Sequence, residues 1–280
     1  VKNKARGVEE GITVCPGLQF DEEGSRRVEA TYRTPDVIAQ RRVVLKVLGL
    51  CPGERVLDIG SGPGFLASEM GEAVGPAGRV YGIDLSESMI KIARERCADR
   101  PWVEFQPGDA RRLPFPDHHF DVAVSTQVYE YVNDMAAALS ELYRVLRPGG
   151  RALILDTDWD SIVWHTADRT LMDQILAAWS EHCADPYLPR TLGLRLRRGG
   201  FQLRHQGIIP LFNPRYDPNT YSYELIKVIR KFVPGRRGIT EEKAEAWAED
   251  LRKLGEEGAY FFSLNRYFFL VVKPGTDPVS

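Results

Sequence analysis

Long apolar runs are missing from this chain of 280 residues. None approaches the roughly 18 consecutive apolar residues that a membrane-spanning helix requires, so no membrane partner is expected. Cysteine is scarce. Cys15, Cys51, Cys97 and Cys183 are scattered without a C-x-x-C pair, which argues against a zinc knuckle, a redox pair or a disulfide framework; no metal is expected and the setting is read as reduced and cytoplasmic. Charge of one sign is lacking too: 37 Lys plus Arg face 39 Asp plus Glu, leaving a net charge of -2 and no global pull toward nucleic acid or an anionic surface. There is no internal repeat or low-complexity tract, and the beginning of the chain is charged rather than signal-like. What remains is ordinary for a globular domain with a full core, 43% hydrophobic and 27% charged.

The most informative stretch is Arg55 to Gly64, R-V-L-D-I-G-S-G-P-G. Val56, Leu57 and Ile59 form a short apolar run ending in glycines, the pattern of a buried parallel strand feeding a loop and then a helix. Gly60, Gly62 and Gly64 let a ligand approach the main chain, and Asp58 puts a carboxylate beside it. A second strand, Arg79 to Ile83, ends in Asp84, an acid placed to accept both hydroxyls of a ribose. The spacing G-x-G-x-G departs from the dinucleotide fingerprint, and Asp58 would repel a pyrophosphate. A nucleoside ligand with an amino or cationic group fits better.

With G-I-D-L-S-E-S-M-I, G-D-A-R-R-L-P-F-P-D-H-H-F-D and L-R-P-G-G-R following in order, Arg55 to Arg151 resembles a class I S-adenosylmethionine-dependent methyltransferase of the ubiquinone/menaquinone-methyltransferase-like group. The resemblance implies an α/β fold, a doubly wound, mostly parallel seven-stranded sheet with an antiparallel edge strand. It implies S-adenosylmethionine as methyl donor and S-adenosylhomocysteine as product. By resemblance, Asp58, Gly60, Ser61 and Gly62 shape the methionyl end of the site, Asp84 and Leu85 the ribose, Met89 a face of the adenine, and Gly108, Asp109 and Ala110 its edge. Thr126 and Gln127 end the fourth strand, Phe120 to Thr126, beside the cofactor. Tyr32 and Arg41 belong to the segment that closes over it. Arg41 either pairs with the cofactor carboxylate or is an ordinary solvated arginine.

The family pattern then fails at an instructive place. Where similar quinone-type enzymes carry a leucine, glutamate and histidine, this chain reads Val128-Tyr129-Glu130-Tyr131, so a histidine base cannot be carried over onto Tyr131. Tyr129 is read as a candidate catalytic group and Tyr131 as part of the substrate pocket, each with core packing as the alternative. Past the strand Ala152 to Leu155, T-D-W-D-S-I-V-W-H-T offers Trp159 and Trp164 to the pocket and His165 as a candidate acid/base group, a histidine being the side chain that titrates nearest neutrality.

The organisation expected is an N-terminal segment and helix closing the cofactor site over 1–50, a methyltransferase core over 51–212, a helical cap inserted at 213–258, and a last strand with a tail over 259–280. The cap reads as two helices, Tyr221 to Phe232 and Glu241 to Leu254, serving as a substrate lid or as an interface. The expected activity is transfer of a methyl group to a small organic acceptor by a monomer or homodimer. The alternatives are an RNA- or protein-directed methyltransferase, using the arginines between Arg190 and Arg237, and a non-catalytic homologue that keeps the cofactor site.

Overall fold

The computed structural model describes residues 29–275; residues 1–28 of the expected closing segment and 276–280 of the tail lie outside them. Helix α1 (Pro35–Leu48) starts on a proline, whose missing N–H costs nothing in a first turn. Thr34 does not cap it: its hydroxyl donates instead to the Thr31 carbonyl at 2.8 Å. Strands and helices then alternate: β1 (Arg55–Ile59), α2 (Phe65–Val74), β2 (Arg79–Asp84), α3 (Glu87–Arg96), β3 (Val103–Pro107), β4 (Phe120–Thr126), α4 (Met135–Val145) and β5 (Leu146–Thr157). β5 begins earlier than its apolar run suggests, because Pro148-Gly149-Gly150 continues the strand where a break is expected.

The second half carries β6 (Val163–Trp164), α5 (Arg169–Trp179), α6 (Pro189–Arg198), β7 (Gln202–Asn213), α7 (Tyr221–Phe232), α8 (Glu241–Glu256) and β8 (Phe262–Val272). β1 to β5 are parallel in the order β3-β2-β1-β4-β5. β8 lies antiparallel between β5 and β7, and the two-residue β6 prolongs the line of β5 along it. The seven long strands thus form the expected sheet, with the reversed strand one place in from the margin and β7 on the margin itself.

Alternate residues of each central strand feed opposite faces, as a pleat requires. Val56, Val122 and Val124 pack with α1, α2 and α3 on one side; Leu57, Ala123 and Ile154 pack with α4 and α6 on the other. A third apolar cluster lies beyond the sheet. It gathers Val37, Trp164, Met172, Trp179, Ile229, Trp247 and Phe262, so α5 joins α7 and α8 in one helical layer instead of belonging only to the sheet core. Among the described residues no helix is long and apolar enough to cross a membrane.

Candidate active site

The carboxyl ends of β1, β2, β4 and β5 converge, as they must in an open parallel sheet, and the loops leaving them build the site. Gly60 and Gly62 hold φ of +70° and +51°, in the left-handed region. A side chain at Gly60 is excluded twice over, since a Cβ there would stand 2.2 Å from Val128 Cγ2. No side chain caps α2, so its first amides face the loop as free donors.

Asp58 is only 2% exposed and among the described residues its Oδ2 has no hydrogen-bond partner. Burial, aided by the nearby Asp84 charge, pushes its pKa up to about 7. A buried carboxylate in that state gains from a donor or cation brought to it. Asp84 is clamped to the same loop: its Oδ2 accepts from the Gly62 amide and its Oδ1 from the Ser86 amide, each at 2.9 Å. Ser86 in turn caps α3 through the Met89 amide, which fixes buried Met89 behind the acid. Leu85, by contrast, is 50% exposed beside it.

Two more buried polar atoms without partners, Ser61 Oγ and Gln127 Nε2, flank this region. Gln127 follows β4 with φ of +60°, a conformation costing a non-glycine residue about 1 to 3 kcal/mol, and its Oε1 accepts from Thr157 Oγ1 at 2.8 Å. Thr126 is half-buried at the same strand end. Gly108 donates its amide to the Asp84 carbonyl at 3.0 Å, bringing the third loop alongside, with Ala110 buried next to it. Asp109 is held in a fork by Arg111, which keeps its carboxyl below the usual range and ionised. Part of its accepting capacity is therefore already used.

Tyr32 stands over the loop, its hydroxyl 3.9 Å from where a Gly62 Cβ would lie, and its pKa is pushed up to about 12 by burial. Arg41 is not the solvated arginine that its sequence position allows. It is buried, bonded to Glu69 at 2.8 Å and to the Tyr32 carbonyl at 2.7 Å, so its described contacts position Tyr32.

Near Tyr32 the structure gathers a buried polar cluster, termed the chamber below, that the sequence reading only partly anticipates. Tyr131 lies within electrostatic reach of Tyr32, Glu130, Cys183 and Tyr221. Glu130 is wholly buried; it accepts the Thr157 amide at 3.1 Å, with the Trp159 indole and Tyr131 hydroxyl beside it. Burial raises the pKa of both Glu130 and its neighbour Asp156, whose Oδ1 takes the Val128 amide at 3.1 Å. Glu130, His182 and Cys183 place one potential ligand atom each within 4.8 Å of one another. His182 Nδ1 donates to the Trp179 carbonyl, 2.5 Å away, while Nε2 meets Cys183 Sγ at 3.1 Å. Its pKa falls to about 4 through burial, so it is neutral at pH 7.

Three readings change as a result. Tyr129 is fully buried among the apolar side chains between the sheet and α4, where burial drives its hydroxyl far from ionisation. His165 is exposed beyond β6, and among the described residues its imidazole makes no hydrogen bond, ion pair or ring contact. Trp164 bonds Tyr260 and packs edge-on against Trp247 and Phe262 inside the helical layer. Trp159 does meet the chamber, with its ring 4.7 Å from His182. The sequence reading missed Glu130, Tyr221 and Arg266. Glu130 sits inside the divergent V-Y-E-Y run, and that run was the available signal.

A parallel sheet in this order, with a left-handed glycine loop after β1 and an acid clamped to it from the end of β2, has the arrangement of the class I methyltransferase fold. Residues 57–154 match the family model described as methyltransferase domain. A 37.1 kDa protein of transposon TN4556 from Streptomyces fradiae is 41% identical over 159 residues, 56% of this chain and 45% of that protein. The ubiquinone/menaquinone biosynthesis C-methyltransferase of Pseudomonas putida is 42% identical over 119 residues, 41% of this chain and 46% of that enzyme. The matches thus cover somewhat under half of each relative. Phosphoethanolamine N-methyltransferase 2 of Haemonchus contortus, solved with S-adenosyl-L-methionine, superposes with a TM-score of 0.61 at 22% identity, over 91% of this chain and 58% of that one. At that identity the likeness is one of fold.

Proposed function

We propose that the protein transfers a methyl group from S-adenosylmethionine to a small organic acceptor by in-line displacement. The observation that carries the reading is the buried Asp58 carboxylate, with Oδ2 unpartnered beside the left-handed Gly60 and Gly62. An ammonium group satisfies it where a phosphate would be repelled. When bound, the cofactor supplies an electrophilic methyl on a sulfonium. In this reading Asp58, Gly60, Ser61 and Gly62 hold its amino-acid end with Tyr32 and Gln127, Asp84 and Leu85 its ribose, and Met89, Gly108, Asp109 and Ala110 its base.

The chamber of Tyr32, Tyr131, Glu130 and Trp159 is then the acceptor pocket, and α7 with α8 forms its lid. Displacement at a methyl carbon asks chiefly for positioning and exclusion of water, which a buried chamber under a lid provides. Glu130, with its raised pKa and proximity to the Tyr131 hydroxyl, is the group suited to accept a proton from the acceptor.

A nucleic-acid acceptor is less well supported, because several of the arginines that would bind it are locally neutralised. Arg190 pairs with Asp158 and Asp160, Arg195 with Asp185, Arg230 with Glu245 and Arg237 with Glu181. The test is transfer of labelled methyl from S-adenosylmethionine into a fractionated extract of the source cells. Label in the small-molecule fraction supports the proposal, label in RNA or protein overturns the acceptor class, and no label with intact cofactor binding favours a non-catalytic homologue.

A further inference from the structure

Arg266 is a buried charge whose counter-ion is absent from the described residues. It lies on β8 between Thr157 of β5 and Ile209 of β7, only 4% exposed. Its guanidinium reaches Gln40 of α1 through one terminal nitrogen and hydrogen-bonds the Tyr221 side chain, whose ring it overlies at 4.6 Å, but among the described residues Nε has no partner. Among the described residues no carboxylate comes within ion-pair distance of it. Neutral partners do not offset the desolvation of a buried cation, and Glu130, the carboxylate that feels its charge, is itself pushed toward its neutral form by burial, so a partner from outside the fold is called for.

We infer that Arg266 binds an ionised oxygen of the methyl acceptor, making an acidic acceptor (a carboxylate, phosphate or enolate) the substrate class of this site. The inference rests on the proposed methyltransferase reading for the word acceptor. Arg266 stands opposite Thr157, whose amide donates to Glu130, and it acts electrostatically on Glu130, Tyr221 and Tyr32. Tyr32 feels Asp58 and Asp84 of the cofactor loop as well as Arg266. Tyr131 and Tyr221 add aromatic walls, and Glu130 stands nearby to take a proton from the same molecule. The planar fork of an arginine suits a two-oxygen anion better than a lysine would.

The experiment is calorimetric titration of the full chain, with and without S-adenosylhomocysteine, using benzoate and its neutral isostere benzamide as probes. Benzoate is expected to bind at least about tenfold more tightly than benzamide. That preference should vanish in Arg266→Gln and survive in Arg266→Lys, which keeps the charge and guards against a misfolded variant. Equal affinity for the two probes, binding of neither, or a preference retained in Arg266→Gln would overturn the inference. So would a loss of about tenfold or more in S-adenosylhomocysteine affinity in Arg266→Gln, since the arginine would then serve the cofactor carboxylate. Failure of the wild-type chain to bind S-adenosylhomocysteine would count against the methyltransferase reading instead, and the probe titration without it would still report on Arg266.

Discussion

The Gly62 amide donates to Asp84 Oδ2 at 2.9 Å, tying the loop after β1 to the acid that ends β2. One carboxylate thus fixes the loop and, in the proposed complex, accepts from the ribose. Removing it should cost both interactions. Asp84→Ala is expected to weaken S-adenosylhomocysteine binding by at least about tenfold in calorimetry while the variant stays folded. Unchanged affinity would remove Asp84 from the ribose site.

Gly60 and Val128 are matched in shape. Alanine at position 60 must adopt a φ of +70° and push its Cβ toward Val128 Cγ2, so Gly60→Ala should lose about 1 to 3 kcal/mol in urea unfolding. Val128→Ala in the same chain should recover part of that loss. A double variant no more stable than the sum of the singles predicts would show that backbone strain alone is responsible.

Asp58 makes stability depend on pH. Its pKa rises from 3.8 to about 7 on folding, so the folded chain keeps a proton that the unfolded chain has released within that window. The contribution is fully present below the unfolded value and is lost as pH rises through the folded one. Glu130 and Asp156 are raised as well and act in the same direction. Melting temperature without ligand should therefore fall between about pH 4 and 7, less steeply in Asp58→Asn. S-adenosylhomocysteine should stabilise the wild type more at the upper end, where Asp58 is ionised. A slope unaltered by Asp58→Asn would refute the assignment.

Once an acceptor is in hand, two substitutions separate the sequence expectation from the structural one. Exposed His165 predicts that His165→Ala leaves the rate and its pH profile as they are. Buried Glu130 predicts that Glu130→Gln lowers kcat by about a hundredfold, within the range general-base loss produces, with cofactor affinity preserved. The opposite pattern would restore His165 as the proton acceptor.

The cofactor half was legible because its determinants are local. A strand, three glycines within five positions and an acid ending the next strand specify backbone shape and charge over short stretches, and these survive in the linear order. Element boundaries followed from apolar period and caps, except where β5 ran through Pro148-Gly149-Gly150, since pairing with β4 and β8 outweighed the local turn preference. His165 looked attractive by intrinsic pKa alone, but exposure is a property of the packed chain.

The acceptor half is decided by contacts between distant segments. Glu130 and Asp156 meet because the Glu130 amide, in the turn after β4, donates to Asp156 Oδ1 near the end of β5, and Arg266 enters because β8 lies antiparallel against β5, placing it opposite Thr157. Tyr221 and Cys183 arrive from elements separated in sequence by the whole of α6 and β7. The sequence by itself determined the parallel sheet, the glycine loop and the acid that faces it, all consequences of local pattern. Only the tertiary structure decided which charges were buried together, because desolvation and pairing depend on what surrounds a group in space.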